Sequence, residues 1–192
     1  WHPRTSGTTN ALRATTFFNN RLLVTGESGT VVWADSLEDF QLLDLGTADW
    51  LEGVAASGTL AVAVGDNGAA YTSTTGTNWT RETTGFTTWL RGVTAGNNLF
   101  VAVGEGGRIA TRAANGNWSV ETSGTVQHLN RVAFIGSQFW AVGDAGTVLV
   151  ANSSGKGWAP VAGFTTTNAL NAIAGTNDYL VIVGDREVRL QN

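Results

Sequence analysis

One pattern recurs five times along this chain. It is led by Leu12, Leu51, Leu90, Leu129 and Leu170, spaced 39, 39, 39 and 41 residues apart. Fourteen residues after each leucine stands a glycine: Gly26, Gly65, Gly104, Gly143 and Gly184. An acid follows each one: Glu27, Asp66, Glu105, Asp144 and Asp185. Four copies add a second glycine, at Gly29, Gly68, Gly107 and Gly146. Short apolar runs flank these turns and no stretch carries helical periodicity, so the repeat reads as strands joined by tight hairpins. A period in the range of roughly 20–50 residues means an array of identical small units, and strands alone at this period mean a β-propeller.

The third copy shows how one blade is laid out. Strands are expected at Leu90–Ala95, Leu99–Val103, Arg108–Arg112 and Trp118–Thr122, with Asn97-Asn98 and Asn115-Gly116 as turns. Glycine supplies the positive φ that the acid-bearing turn needs, and the acid caps it. In the fifth copy Arg186 and Glu187 replace the glycine, so that turn is expected to differ. Each copy then reaches an aromatic (Phe40, Trp79, Trp118, Trp158, and Trp1 at the chain start) and a further glycine (Gly46, Gly85, Gly124, Gly163, and Gly7). Trp1 and Gly7 have no leucine-led half before them, and the copy from Leu170 lacks its aromatic. The expectation is an all-β, five-bladed propeller of four-stranded antiparallel blades. Residues 1–192 form a single domain, and the N-terminal strand around Trp1 joins the C-terminal blade to close the ring. Closure would remove exposed strand edges.

Composition narrows the function. Only 14% of the 192 residues are charged and the net charge is −4. The eleven basic residues are scattered, which argues against nucleic acid as a partner. No apolar run is long enough to span a membrane, so direct membrane insertion is not expected. With no cysteine and two histidines, thiolate and zinc sites lack ligands, and no cofactor is expected. A first residue of Trp rather than Met reads as a processed or excised segment. Richness in Thr, Asn, Ser and Gly points to an extracellular or periplasmic domain.

The hairpin before the aromatic resembles the Asp-box turn of sialidase-type propellers. Thr72, Thr74, Gly76 and Trp79 keep its frame, Asp35 and Phe40 keep the acid and an aromatic, and Ser153, Gly155 and Trp158 form a third version. The longer run from Leu129 to Phe134 and from Trp140 to Leu149 resembles the repeat of the Ycf48 family of photosystem II assembly factors and their bacterial relatives. That resemblance implies a non-catalytic assembly and interaction propeller. Photosynthetic members are understood to have seven blades, whereas five are counted here.

Four groups of residues are candidates for a site. The five turn acids should ring one face and are able to hold a hard cation such as calcium; the plainer reading is turn capping copied five times. The residue before each leucine breaks the symmetry: Ala11, Trp50, Trp89, His128 and Ala169. Trp50, Trp89 and His128 either form an exposed aromatic surface for a protein or sugar, or fill gaps between blades. The loop after Gly163 is two residues longer than its counterparts and brings Phe164 and Asn168 to the candidate surface. Arg13, Glu52, Arg91 and Arg131 are expected to line the central tunnel, either as a carboxylate-binding cluster or as ion pairs such as Arg91 with Glu52. No nucleophile–base arrangement and no isolated carboxylate pair stands out, so no catalytic residue is assigned. The reading is a non-catalytic protein-interaction or assembly module with a protein partner. The alternative is a carbohydrate-binding propeller, and a remote one is a glycoside hydrolase.

Overall fold

Turns in each copy fall on residues that accept a positive φ. Asn19-Asn20, Asn97-Asn98 and Gly136-Ser137 do so at both central positions, the hairpin geometry that matches strand twist. The computed structural model describes residues 2–36, 38–113 and 116–191. The strands form five separate antiparallel sheets, one per copy of the repeat. The first holds β1 (Leu12–Phe18), β2 (Arg21–Gly26), β3 (Thr30–Ser36) and β4 (Asp39–Asp44). The second holds β5 (Leu51–Ser57), β6 (Leu60–Gly65), β7 (Ala70–Ser73) and β8 (Thr80–Arg81). The third holds β9 (Leu90–Gly96), β10 (Leu99–Gly104), β11 (Ile109–Arg112) and β12 (Trp118–Glu121), each within a residue of its expected bounds. The fourth holds β13 (Leu129–Ile135), β14 (Gln138–Gly143), β15 (Val148–Ala151) and β16 (Ala159–Pro160). The fifth has three strands, β17 (Leu170–Gly175), β18 (Leu180–Gly184) and β19 (Glu187–Gln191). The expected turn at Asn115 lies outside the described residues.

The core lies at the junctions between sheets. First strands pack side by side in the order β1, β5, β9, β13, β17. Each leading leucine after the first is fully buried against the preceding sheet. Leu51 meets Val31, Leu90 meets Val62 and Val64, Leu129 meets Val101 and Ile109, and Leu170 meets Val142 and Val148. Burial of one such side chain contributes roughly 1.5–3 kcal/mol. A polar clamp reinforces the second junction. Arg112, almost wholly buried, donates from Nη2 and Nε to Glu82 at 2.6 and 2.8 Å, and Trp118 Nε1 donates to the same carboxylate at 2.8 Å.

Ring closure by the N-terminal segment is not observed. Residues 2–11 form no strand, and the fifth sheet gains no fourth one from them. The segment instead rests on the first sheet, where Asn10 Nδ2 donates to Thr30 Oγ1 at 2.8 Å. Trp1 itself lies outside the described residues. A strand at residues 2–6 could close the ring only if β19 lay within pairing reach. Among the described residues, β17 does not pack on β1 as the other four neighbours pack on one another.

The two glycines of the turn have different roles. Gly65, Gly104 and Gly143 are extended, with φ of −167°, −172° and −166°. What excludes a side chain is contact. A Cβ would lie 1.7 Å from the Trp50 carbonyl oxygen at Gly65, and 1.9 Å from that of Trp89 at Gly104. Positive φ belongs to the second glycine, as at Gly68 (+65°), which also abuts the Phe86 carbonyl of the loop into the next sheet. The fifth turn differs as expected: Gly184 pairs directly with Glu187 around Asp185-Arg186.

Two outcomes follow. Gly104→Ala should lose about 2–4 kcal/mol in urea unfolding, because the clash is with backbone that cannot swing aside; a loss under about 0.5 kcal/mol would refute the contact. Burial alone would raise the Glu82 carboxyl, but the hydrogen bonds from Arg112 and Trp118 and the Arg112 charge outweigh it and hold it below the ordinary glutamate range. Its stabilisation is therefore complete above the unfolded pKa near 4.5 and is lost as pH falls through the lower folded value. Glu82→Ala should cost about 3–5 kcal/mol at pH 7 by stranding Arg112, and the gap to wild type should shrink on acidification below pH 4.5.

Candidate functional site

Every first strand begins with a bulge. The register slips between Leu12 and Ala14, Leu51 and Gly53, Leu129 and Arg131, and Leu170 and Ala172, and it shifts at the matching place beside Leu90. A bulge leaves one residue out of the ladder and re-aims its side chain. Here that residue is Arg13, Glu52, Arg91, Asn130 or Asn171, and in four sheets it meets the acid of its own turn. Arg13 pairs with Glu27, and Arg91 Nη2 lies 3.3 Å from Glu105 Oε1. Asn130 Nδ2 donates to Asp144 Oδ1 at 2.8 Å and Asn171 Nδ2 to Asp185 Oδ1 at 2.9 Å. The second sheet places two acids together, Glu52 and Asp66. There Asp66 accepts the Trp50 backbone N–H at 2.8 Å, while Glu52 lies 4.0 Å from Arg13 Nε.

This arrangement decides several of the sequence-based candidates. The five acids are engaged sheet by sheet, and among the described residues no three histidine or carboxylate groups converge on a point able to hold a metal ion. Arg91 does not pair with Glu52; it takes Glu105 and the Asn130 side chain, the latter at 2.8 Å. Burial pushes the Glu52 carboxyl up, and the Arg13 and Arg131 charges offset only part of that.

One position further on, the repeat carries Ala14, Gly53, Gly92, Arg131 and Ala172. Four are small, which lets first strands approach: a Cβ on Gly53 would lie 3.0 Å from Val93 N. The fifth is an arginine whose side chain runs past Gly92. A cavity of about 490 Å³ opens beside these strands, lined by Arg13, Thr15, Gly53, Val54, Val93 and Arg131 among others. Arg13 is paired with Glu27, whereas Arg131 makes no hydrogen bond or ion pair with any described residue. Glu52 and Arg91, expected to share this lining, do not. By residue type Arg131 belongs with Arg13 and Arg91. Its place in the small-residue register was the signal that sets it apart.

The aromatic series divides in the same way. Trp50 and Trp89 form an edge-on pair with centroids 6.1 Å apart, and Arg13 Cζ stands 5.3 Å from the Trp50 ring centroid. Trp50 is 36% exposed; Trp89 is half-buried, with its Nε1 shut off from solvent and without a hydrogen-bond partner. His128 serves the third sheet, where its Nδ1 accepts the Gly106 N–H at 3.0 Å. In the longer loop, Phe164 packs into the junction between the fourth and fifth sheets with Arg189 over its ring. Asn168 is exposed, and its carbonyl accepts the Gly146 N–H. Of the sequence-based candidates, Trp50, part of Trp89 and Arg131 on the cavity lining stay at the surface.

No protein-family model matches the chain, and no curated protein is significantly similar to it in sequence. A solved structure described as "YCF48 bound to D1 peptide" is similar in fold, with a TM-score of 0.72 at 19% identity. The match covers 96% of this chain and 65% of that one, so the chain spans just under two thirds of its length. The likeness shows the fold, a Ycf48-like β-propeller architecture.

Glu52→Gln should stabilise the protein at pH 7, because an acid whose folded pKa is raised opposes folding once it is ionised. The sign reverses the Glu82 case: the gain should fade below pH 4.5, where both states are protonated. Equal melting temperatures for variant and wild type at pH 7 would show that Glu52 is not desolvated.

Proposed function

We propose that this chain is a non-catalytic, protein-binding propeller that takes an extended peptide segment across Trp50 and into the cavity at Arg131. The observation that carries the reading is the Arg131 guanidinium on the cavity lining, without a hydrogen bond or ion pair to any described residue, with the exposed Trp50 immediately before the first strand of the second sheet. A guanidinium fork matches a carboxylate in two parallel hydrogen bonds, and an exposed tryptophan is the residue type most often decisive at protein interfaces. The ligand class that fits is a peptide with an apolar or aromatic residue beside a carboxylate, either an acidic side chain or a chain terminus. The similar solved propeller is described as binding a peptide, which supports a protein partner.

Two other readings find less support. Sugar stacking needs an open ring face, but Arg13 lies over the Trp50 ring, and Trp89 packs nearly perpendicular to it with centroids 6.1 Å apart. Hydrolysis needs two carboxylates across a cleft. No carboxylate lines the cavity among the described residues, and Glu27 and Glu52 are turned to its Arg13. An accessory role in an extracellular or periplasmic assembly agrees with the low charge and polar, hydroxyl-rich composition.

Peptide arrays containing acidic and free-carboxylate peptides, with a glycan array in parallel, test the proposal. Peptide binding should weaken by about 30-fold or more in Trp50→Ala and in Arg131→Ala, with melting temperature unchanged in the first. Arg131→Lys should not restore it, since an ammonium lacks the planar fork. Glycan binding abolished by Trp50→Ala, or peptide binding untouched by both substitutions, would sink the proposal.

A further inference from the structure

An arginine set against an aromatic ring recurs beside the loops that enter the sheets, and among the described residues the fourth sheet lacks it. In the second sheet Arg81 Nε donates to Asp49 of the entering loop at 3.2 Å, with its Cζ 6.0 Å from the Tyr71 ring centroid. In the third, Arg108 Nε donates to Thr88 Oγ1 at 3.2 Å, and its Cζ is 5.4 Å from the Phe86 centroid. In the fifth, Arg189 Cζ is 5.9 Å from the Phe164 centroid. The fourth sheet keeps the backbone and omits these side chains. Thr147 takes the place of Arg108: the carbonyl of each accepts the N–H of the turn glycine at 2.9 Å, and the N–H of each donates to the carbonyl of the turn acid at 3.1 Å. Pro160 pairs with Leu149 as Arg81 pairs with Tyr71. Thr125 takes the place of Phe86, its carbonyl accepting the Ser123 hydroxyl at 3.2 Å as that of Phe86 accepts the Thr84 hydroxyl. A groove of about 220 Å³ opens there, lined by Thr125, Thr147, Val148, Pro160, Val161 and Phe164 among others, with no basic side chain.

An acid beside the groove lacks its arginine too. Glu82 is the acid that receives Arg112 from the following sheet. Glu121 is its counterpart: Glu82 accepts the Thr72 hydroxyl at 3.2 Å, and Glu121 the Thr111 hydroxyl at 3.3 Å. In the fourth sheet the place of Arg112 is held by Ala151, which pairs with Phe139 as Arg112 pairs with Phe100. Among the described residues Glu121 makes no ion pair. The surface it bounds meets the groove at Gly124 and Thr125. We propose that this groove, together with Glu121, binds an arginine-bearing segment of a protein partner. The arginine stem packs on the Val148, Pro160 and Phe164 lining, and its guanidinium pairs with Glu121 as Arg112 pairs with Glu82. A net charge of −4 draws a basic segment toward the protein. The groove shares no lining residue with the cavity at Arg131, so this contact stands apart from the peptide site there.

Three probes separate the outcomes: a short blocked peptide carrying one arginine, the same peptide with citrulline as the neutral isostere, and N-acetylarginine amide. Each is titrated into the chain while backbone amide shifts are followed by NMR. The arginine peptide should shift Glu121, Thr125 and Thr147 saturably and bind about 10-fold or more tighter than either other probe. Glu121→Gln should weaken it by about 10-fold with the melting temperature unchanged. Thr147→Arg should fill the groove from within, as Arg108 does in the third sheet, and abolish binding. If that variant does not fold, the double replacement Phe86→Thr with Arg108→Thr takes its part: it opens the third sheet in the same way and should add a second set of shifts around Thr88 and Gly107. Equal binding of the citrulline peptide would overturn the proposal, as would binding untouched by Glu121→Gln or Thr147→Arg, or no second set of shifts in the folded double variant. Equal affinity for N-acetylarginine amide would replace the protein segment with a free guanidinium compound. Shifts confined to the surroundings of Arg13 and Arg131 would place the contact in the other cavity and refute it.

Discussion

A single backbone hydrogen bond organises each sheet. The N–H of the turn acid donates to the carbonyl of the residue before the leading leucine. The bond occurs five times: Glu27 to Ala11 at 3.0 Å, Asp66 to Trp50 at 3.1 Å, and Glu105 to Trp89, Asp144 to His128 and Asp185 to Ala169 at 2.9 Å. It fastens the start of the first strand against the turn between the second and third. That approach leaves no room for a Cβ on the preceding glycine, so the glycine and the bond are one constraint. The bulge beside it drives the leucine into the neighbouring sheet and turns the next residue toward the acid. Because only the backbone of the residue before the leucine is used, its side chain is free to differ from copy to copy. Alanine, tryptophan and histidine all occupy that place without disturbing the turn.

The junctions supply the rest of the stability, and they do so locally. Each buried leucine bridges one sheet to the next, and polar pins accompany several junctions: Arg112 on Glu82, Arg21 on the Thr75 carbonyl, and Asn97 on the Ser153 carbonyl. An arc built this way has stability close to a sum over neighbours, with its end units held on one side only. Among the described residues the first and fifth sheets are those units, and their exposed apolar residues record it.

The repeat made the fold legible because the chain carries five aligned copies of one answer. Positions shared by all five gave the strands, the turns and the junction leucines. Chemical type does not show whether a glycine is required for its φ or for a close contact, so the division of labour between Gly65 and Gly68 is visible only in the structure. The pattern around Gly7 marks a joining loop but carries no information on whether β19 lies within reach. Phe164 looked like part of a surface loop, and its burial depends on a neighbouring sheet that sequence spacing does not display. The charge of Arg131 says little about its place. Its register, an arginine where the other copies carry glycine or alanine, is the more informative fact.

That register also explains how the chain can hold an unpaired cation at little structural cost. At Arg13 and Arg91 the bulge supplies an acid, so those guanidinium groups are spent on the turn. One residue along, the side chain faces the neighbouring first strand, and only a glycine there, Gly92, leaves a path for a long side chain to pass. Arg131 thus reaches the cavity without displacing a core residue and without meeting a turn acid. The net charge of −4 acts in the opposite sense at long range, weakening attraction of acidic partners until they are within a Debye length of the cavity. For the binding mode we propose, local recognition and global repulsion together would favour a ligand whose negative charge is confined to one point over a broadly acidic surface, because only the former would gain the Arg131 contact without incurring the full repulsion.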